Sequence, residues 1–165
     1  MEMAQKKEHL MFSAMIDFTN VLLAALVVGA MFGVWLFLNP AGLDAGLYVT
    51  LQQQGIRGGD KVMPALGAAT ILVTIIAAAI GRDDRTRFGL LIAAVVCFAA
   101  AGLTTRFLNQ PINRIVMTWS TDAPPPMNWT VLRDEWWRWH LVRLFAGLGG
   151  LSLLIAATLK RAWIG

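Results

Sequence analysis

Charged residues fall in bunches along this chain and leave four long stretches without any. Phe18–Leu43, Val62–Gly81, Phe88–Thr105 and Leu144–Leu159 contain no Asp, Glu, Lys or Arg. A helix of about 20 apolar residues crosses the hydrocarbon core of a bilayer, with about 17 as the lower limit. The first three stretches meet that length directly. The fourth does so if its helix starts near His140, with Arg143 snorkelling or buried against a partner. Each stretch is apolar all round, whereas the helices of a soluble bundle keep a polar face. The pattern predicts an all-α integral membrane protein, one four-helix bundle over residues 1–165, with spans at about 13–38, 62–80, 88–108 and 140–159.

The connections are legible in the same way. Asn39-Pro40 stops the first span. Leu47–Gln53 then has the make-up of a short interfacial helix, with Tyr48 and Gln52 one turn apart on a shared face, ended by Gly55 and Gly58-Gly59. It serves as a lid or as a surface connector. Pro64 fits the first turn of span two. Gly81–Arg87 is a tight charged turn, and a long external segment runs from span three to about Glu135. Gly29-x-x-x-Gly33 permits close helix approach, read first as packing within the bundle. Asp17 and Asn20, near the start of span one, read as hydrated interfacial groups.

Composition sharpens this picture and closes several alternatives. Charged residues make up 15% of the chain, against about 25% in ordinary soluble domains, and the mean hydropathy is +0.60. The net charge of +4 is no sign of nucleic-acid binding, because the basic residues sit at span ends. Lys6, Lys7, Arg82, Arg85, Arg87, Lys160 and Arg161 favour both termini on the cytoplasmic side of a cell or inner membrane. Cys97 is the single cysteine, which removes an intramolecular disulfide and a Cys-based metal site. His9 lies at the opposite end from His140, so a bis-His haem is not expected. Zinc-ligand spacing, phosphate loops and dinucleotide fingerprints are absent from the sequence. The span middles are Ala, Leu, Val, Ile and Gly, unlike those of transporters or channels. Neither cofactor nor metal is expected.

The candidate chemistry is concentrated between Arg106 and Arg143, which holds five of the seven Trp and one of the two His. Arg106, Asn109 and Asn113 share a face if the helix continues through Pro111; otherwise Asn109 caps a new short helix. Arg133, Trp136, His140 and Arg143 share another face, continued by Gly147 and Gly150. Together they predict a pocket at the external membrane boundary for a flat aromatic or quinone-like molecule. Its aromatic walls come from Trp119, Trp136 and Trp139, with Arg106, Tyr48 and Gln52 also contacting the substrate. His140 is the natural general base. Arg143, Asn109 and Asn113 would hold an oxyanion or phenolate. Against this stands the general membrane-interface Trp belt, which accounts equally well for Trp129 and Trp137, and a purely structural His140. A triad hydrolase has no nucleophile beside His140.

Asn109-Gln-Pro111-Ile-Asn113-Arg, followed by Trp119 and Trp136-x-x-Trp139-His140-x-x-Arg143, resembles the anthrone-oxygenase-like family of small four-span membrane proteins. The glycine-bearing first span, Pro40 and the Tyr48–Gln53 segment extend the resemblance over nearly the whole chain, with most of its specificity in the second half. The resemblance implies oxidation of an anthrone to an anthraquinone by dioxygen, without metal or flavin. A competing expectation is a non-catalytic membrane subunit that binds a partner protein, lipid, quinone or pigment through the Trp-rich segment. Its glycine faces would then serve a homo-oligomer or a larger complex.

Overall fold

A computed structural model of the chain describes Glu2–Ile164, with side chains described for residues 3–160; the side chain of Arg161 lies outside that range. Six α-helices follow in order: α1 (Glu2–Phe37), α2 (Ala45–Gly59), α3 (Val62–Ile80), α4 (Arg85–Thr104), α5 (Gln110–Val116) and α6 (Trp129–Ile164). Among the described residues, four segments are long and apolar enough to cross a membrane: Met3–Gly42, Val62–Ile80, Arg85–Val116 and Trp129–Lys160. Helices α1, α3, α4 and α6 form a ring in which α1 packs on α3 and α6, and α4 packs on the same two. Their outer faces carry exposed Phe32, Leu72, Val96, Leu103, Phe145 and Ile155, a surface that a bilayer solvates and water does not. This is an integral membrane helical bundle.

Local chemistry sets the element ends. Asn39 accepts from Ala41 N–H and Pro40 opens a single 3-10 turn, which ends α1. Asp44 caps α2 through Leu47 N–H at 2.9 Å, and Asp84 caps α4 through the N–H groups of Thr86 and Arg87. Asp84 also pairs with Lys160 of α6 at 2.5 Å, tying the α3–α4 turn to the last helix. That hydrogen bond, with those from Arg87 and Thr86, holds the Asp84 carboxyl below its usual range. Between Thr105 and Asn109 the helix widens into a π-turn before Pro111. In an unbroken α-helix the Pro111 ring would meet the carbonyl four residues back, and the wider turn relieves that clash.

The core is built of small residues facing larger ones: Ala24, Val28, Ala77, Leu91, Ala94, Phe98, Leu144, Leu154 and Ala157. Gly147 and Gly150 admit their neighbours to unusually close range. A Cβ at Gly147 would lie 2.7 Å from Met31 Cε, and one at Gly150 2.7 Å from the Phe98 ring. Gly29 and Gly33 behave differently from expectation, since a Cβ at either would meet nothing within 4 Å. They are not packing positions within this chain. Asp17 also departs from expectation. It is buried with Arg87 at 2.8 Å rather than left hydrated, because α4 delivers a guanidinium to its level in the bundle.

Candidate functional site

At the end of the bundle opposite the termini, a cavity of about 670 Å³ opens between α1, α3, α4 and α6, within the range of small-molecule sites. Its floor and walls are apolar: Val27, Met31, Val34, Ile71, Phe98 and Gly147 among them. α2 lies over it, contributing Gln52 and Ile56, with Asp60 directly after its last residue. α2 is fastened to the α5 region by Gln53, whose Nε2 donates to the carbonyls of Val116 (3.0 Å) and Trp119 (2.8 Å). Gln110 donates to Asp60 at 3.0 Å, and Gln52 donates to Asn113 Oδ1 at 3.4 Å.

Of the residues singled out in the sequence, Arg143, Asn113, Trp136, Arg106 and Gln52 line this cavity. His140 and Asn109 stand behind its wall, each 0% exposed. Tyr48 and Trp119 pack together at 6.4 Å on the far side of α2, with Trp129 at 5.5 Å from Tyr48. Burial pushes the Tyr48 phenol up to about 12, with Arg133 acting weakly in the opposite direction. Trp139 does not line the cavity; its Nε1 donates to Glu135 at 3.5 Å and Arg138 lies over its ring. Arg133 pairs with Asp134 and lies over Trp129.

Trp136 is the centre of the arrangement. Its Nε1 donates to Asn113 Oδ1 at 2.7 Å, and its carbonyl accepts from Asn109 Nδ2 at 3.0 Å. Its ring stacks on His140 (5.3 Å, 11°) and lies beneath the Arg143 guanidinium at 5.4 Å. Because Asn113 Oδ1 accepts from both Trp136 and Gln52, its Nδ2 hydrogens remain for the cavity. A guanidinium only donates, so His140 Nδ1 is the acceptor for Arg143 Nε (3.2 Å) and Nη2 (2.9 Å). His140 Nε2 then carries the proton and donates to the Met31 carbonyl at 3.1 Å. Both ring nitrogens are engaged. Among the described residues no carboxylate pairs with Arg143. Its charge faces an apolar cavity, and a buried charge is costly until an opposite one joins it.

Among the polar wall residues that escaped the sequence reading are Asp60, Thr70, Thr105, Gln110 and Arg114. For Gln110 the reason is the π-turn. A regular helix would place Asn109 beside Arg106 and Asn113, whereas the wider turn swings Asn109 toward α6 and brings Gln110 to the wall. Pro111 was the available signal. Among the described residues no cluster of His, Cys, Asp or Glu could hold a metal ion.

These features define a polytopic helical membrane protein with a largely apolar cavity whose wall carries the donors Arg143 and Asn113 and the carboxylate of Asp60. The family model described as anthrone oxygenase matches residues 53–153, and the chain belongs to that family. The match runs from α2 into α6 and includes the Trp136 arrangement. No curated protein and no solved structure matches the chain.

Proposed function

We propose that the protein oxidises an anthrone-like or phenolic polycyclic substrate with dioxygen in the cavity beneath α2, with no cofactor. The observation that carries this reading is the pair of donors, the Arg143 guanidinium and Asn113 Nδ2, held by Trp136 at the wall of an apolar cavity. Fixed donors of this kind stabilise an anion that forms during reaction, at little reorganisation cost. A methylene flanked by aryl rings and conjugated to a carbonyl loses a proton to water in the cavity and gives an aryloxide; that proton returns to the peroxide oxygen before the O–O bond breaks. Arg143 and Asn113 hold the oxygen of that anion. Its carbon then donates electrons to dioxygen and forms a C–O bond. Breakage of the O–O bond with loss of the second C–H proton gives a ketone and water. One oxygen atom of dioxygen ends in the new carbonyl, and the other leaves as water with both methylene hydrogens.

His140 enters this reading as the residue that orients Arg143. It acts as the base only if the guanidinium leaves Nδ1 for the substrate oxygen. The basic residues Lys6, Lys7, Arg82, Arg85 and Lys160 at the terminal end support a cytoplasmic position for both termini. The test is oxygen uptake and quinone formation by protein in detergent with a hydroxylated anthrone, corrected for reaction in air. Arg143→Gln is expected to lower turnover by on the order of 10²-fold. Wild-type protein no faster than the background sinks the reading and leaves a binding protein in its place.

A further inference from the structure

A second group of polar side chains is buried below the cavity. Thr70, Thr74, Ala77 and Gly81 fall on one face of α3 and its end, at helical spacing. Thr70 lines the cavity floor. One turn further on, Thr74 Oγ1 lies 2.9 Å from Asn20 Oδ1 and 2.7 Å from the Thr70 carbonyl. Asp17, one turn before Asn20 in α1, pairs with Arg87. The Arg87 guanidinium fills the space over Gly81, where any Cβ would collide with Nη1. From Thr70 to Gly81 the string covers about 16 Å at the helical rise, and it ends at the α3–α4 turn on the terminal face.

Thr70, Thr74, Asn20, Asp17 and Arg87 are each 5% exposed or less. Interhelical hydrogen bonds alone would account for such a string if every donor were used. Two are not. Asn20 Nδ2 and Arg87 Nε are buried and have no partner in the protein. Orphaned donors inside a protein mark the places where ordered water sits, and intramembrane polar chains of this kind carry protons.

We propose that this string is a hydrated path joining the cavity floor to the terminal face, through which water and protons pass. On the reading given above, it is the exit for the water that oxidation of a methylene releases. The hydration itself does not depend on that reading.

The test needs no substrate. Thr74→Cys is made in a Cys97→Ala background and placed in vesicles in one orientation, fixed by protease access to a terminal tag. Silver ion, small enough to follow water and excluded from lipid, is added on one side, and the thiols left are counted with a maleimide after denaturation. Val96→Cys, which faces outward at 62% exposure, is the lipid control. The expected result is loss of maleimide labelling at Thr74→Cys when silver is added on the side of the termini, with Val96→Cys protected. If Thr74→Cys does not fold, Ala77→Cys on the same face gives the same readout. Reaction only from the opposite side would mean the path stops at the cavity, and reaction from neither would mean a dry seam; either overturns the proposal. An absence of oxygenase activity leaves this outcome unaffected.

Discussion

Trp136 meets four polar residues through three of its parts: the indole N–H, the ring face and the backbone carbonyl. A single side chain thereby sets the orientation of both donors that face the cavity. Behind it, His140 links the Met31 carbonyl to Arg143. Glutamine can imitate that link, since its amide donates on one side and accepts on the other. His140→Gln is therefore expected to keep much more kcat than His140→Ala, with the wild-type shape of the pH–rate profile. A profile that loses one limb in His140→Gln would assign His140 the role of base instead. Tyr48 offers a separate residue-scale test, because it is the only tyrosine in the chain. Its tyrosinate absorbance should titrate near 12, above the ordinary value near 10. The sign follows from the raised value: the stability contributed by the neutral buried phenol is complete below about pH 10 and is lost as pH rises through about 12. A midpoint near 10 in the folded protein would contradict the burial.

At the scale of elements, α2 is held by polar contacts as well as by the buried Tyr48 and Val49. Gln53 is 3% exposed and serves two carbonyls at the end of α5. Gln53→Leu removes that donor from both; the Val116 carbonyl keeps the Trp119 N–H, while the Trp119 carbonyl loses its partner at a cost of about 1–3 kcal/mol where it stays dry. Faster hydrogen exchange in residues 45–59, with α3 and α4 unchanged, is the expected result; uniform exchange across the bundle would show that α2 is not separately fastened. The π-turn is the other decisive element. It keeps the helix running past Pro111 and selects which polar residues reach the cavity.

For the whole molecule, the bunching of charges made the four spans legible, since the bilayer imposes a length on every apolar run. Asn113, Trp136 and Arg143, which line the cavity, were legible as candidates because their residue types are unusual at a span end. Asn109 was misplaced on its helix face, and Gln110 missed, because a π-turn leaves no periodic trace in the sequence. The burial of Asp17 with Arg87 was not legible either, as the partners are 70 residues apart and each looks interfacial by itself. Removing one partner of such a pair strands the other. Asp17→Asn is expected to destabilise the bundle by about 3–5 kcal/mol, read as a lower unfolding midpoint in a denaturing-detergent titration. An unchanged midpoint would show that the pair is not buried as described. Asp17→Leu with Arg87→Met should cost less than Asp17→Leu alone.

The same pair bears on how the protein is made. Ribosomes deliver Asp17 long before Arg87, so the first helix reaches the insertion machinery while its cation is still unsynthesised. A carboxylate without that guanidinium penalises release of the helix into lipid. Until the third span follows, the first carries that penalty uncompensated, and the arrival of Arg87 removes it.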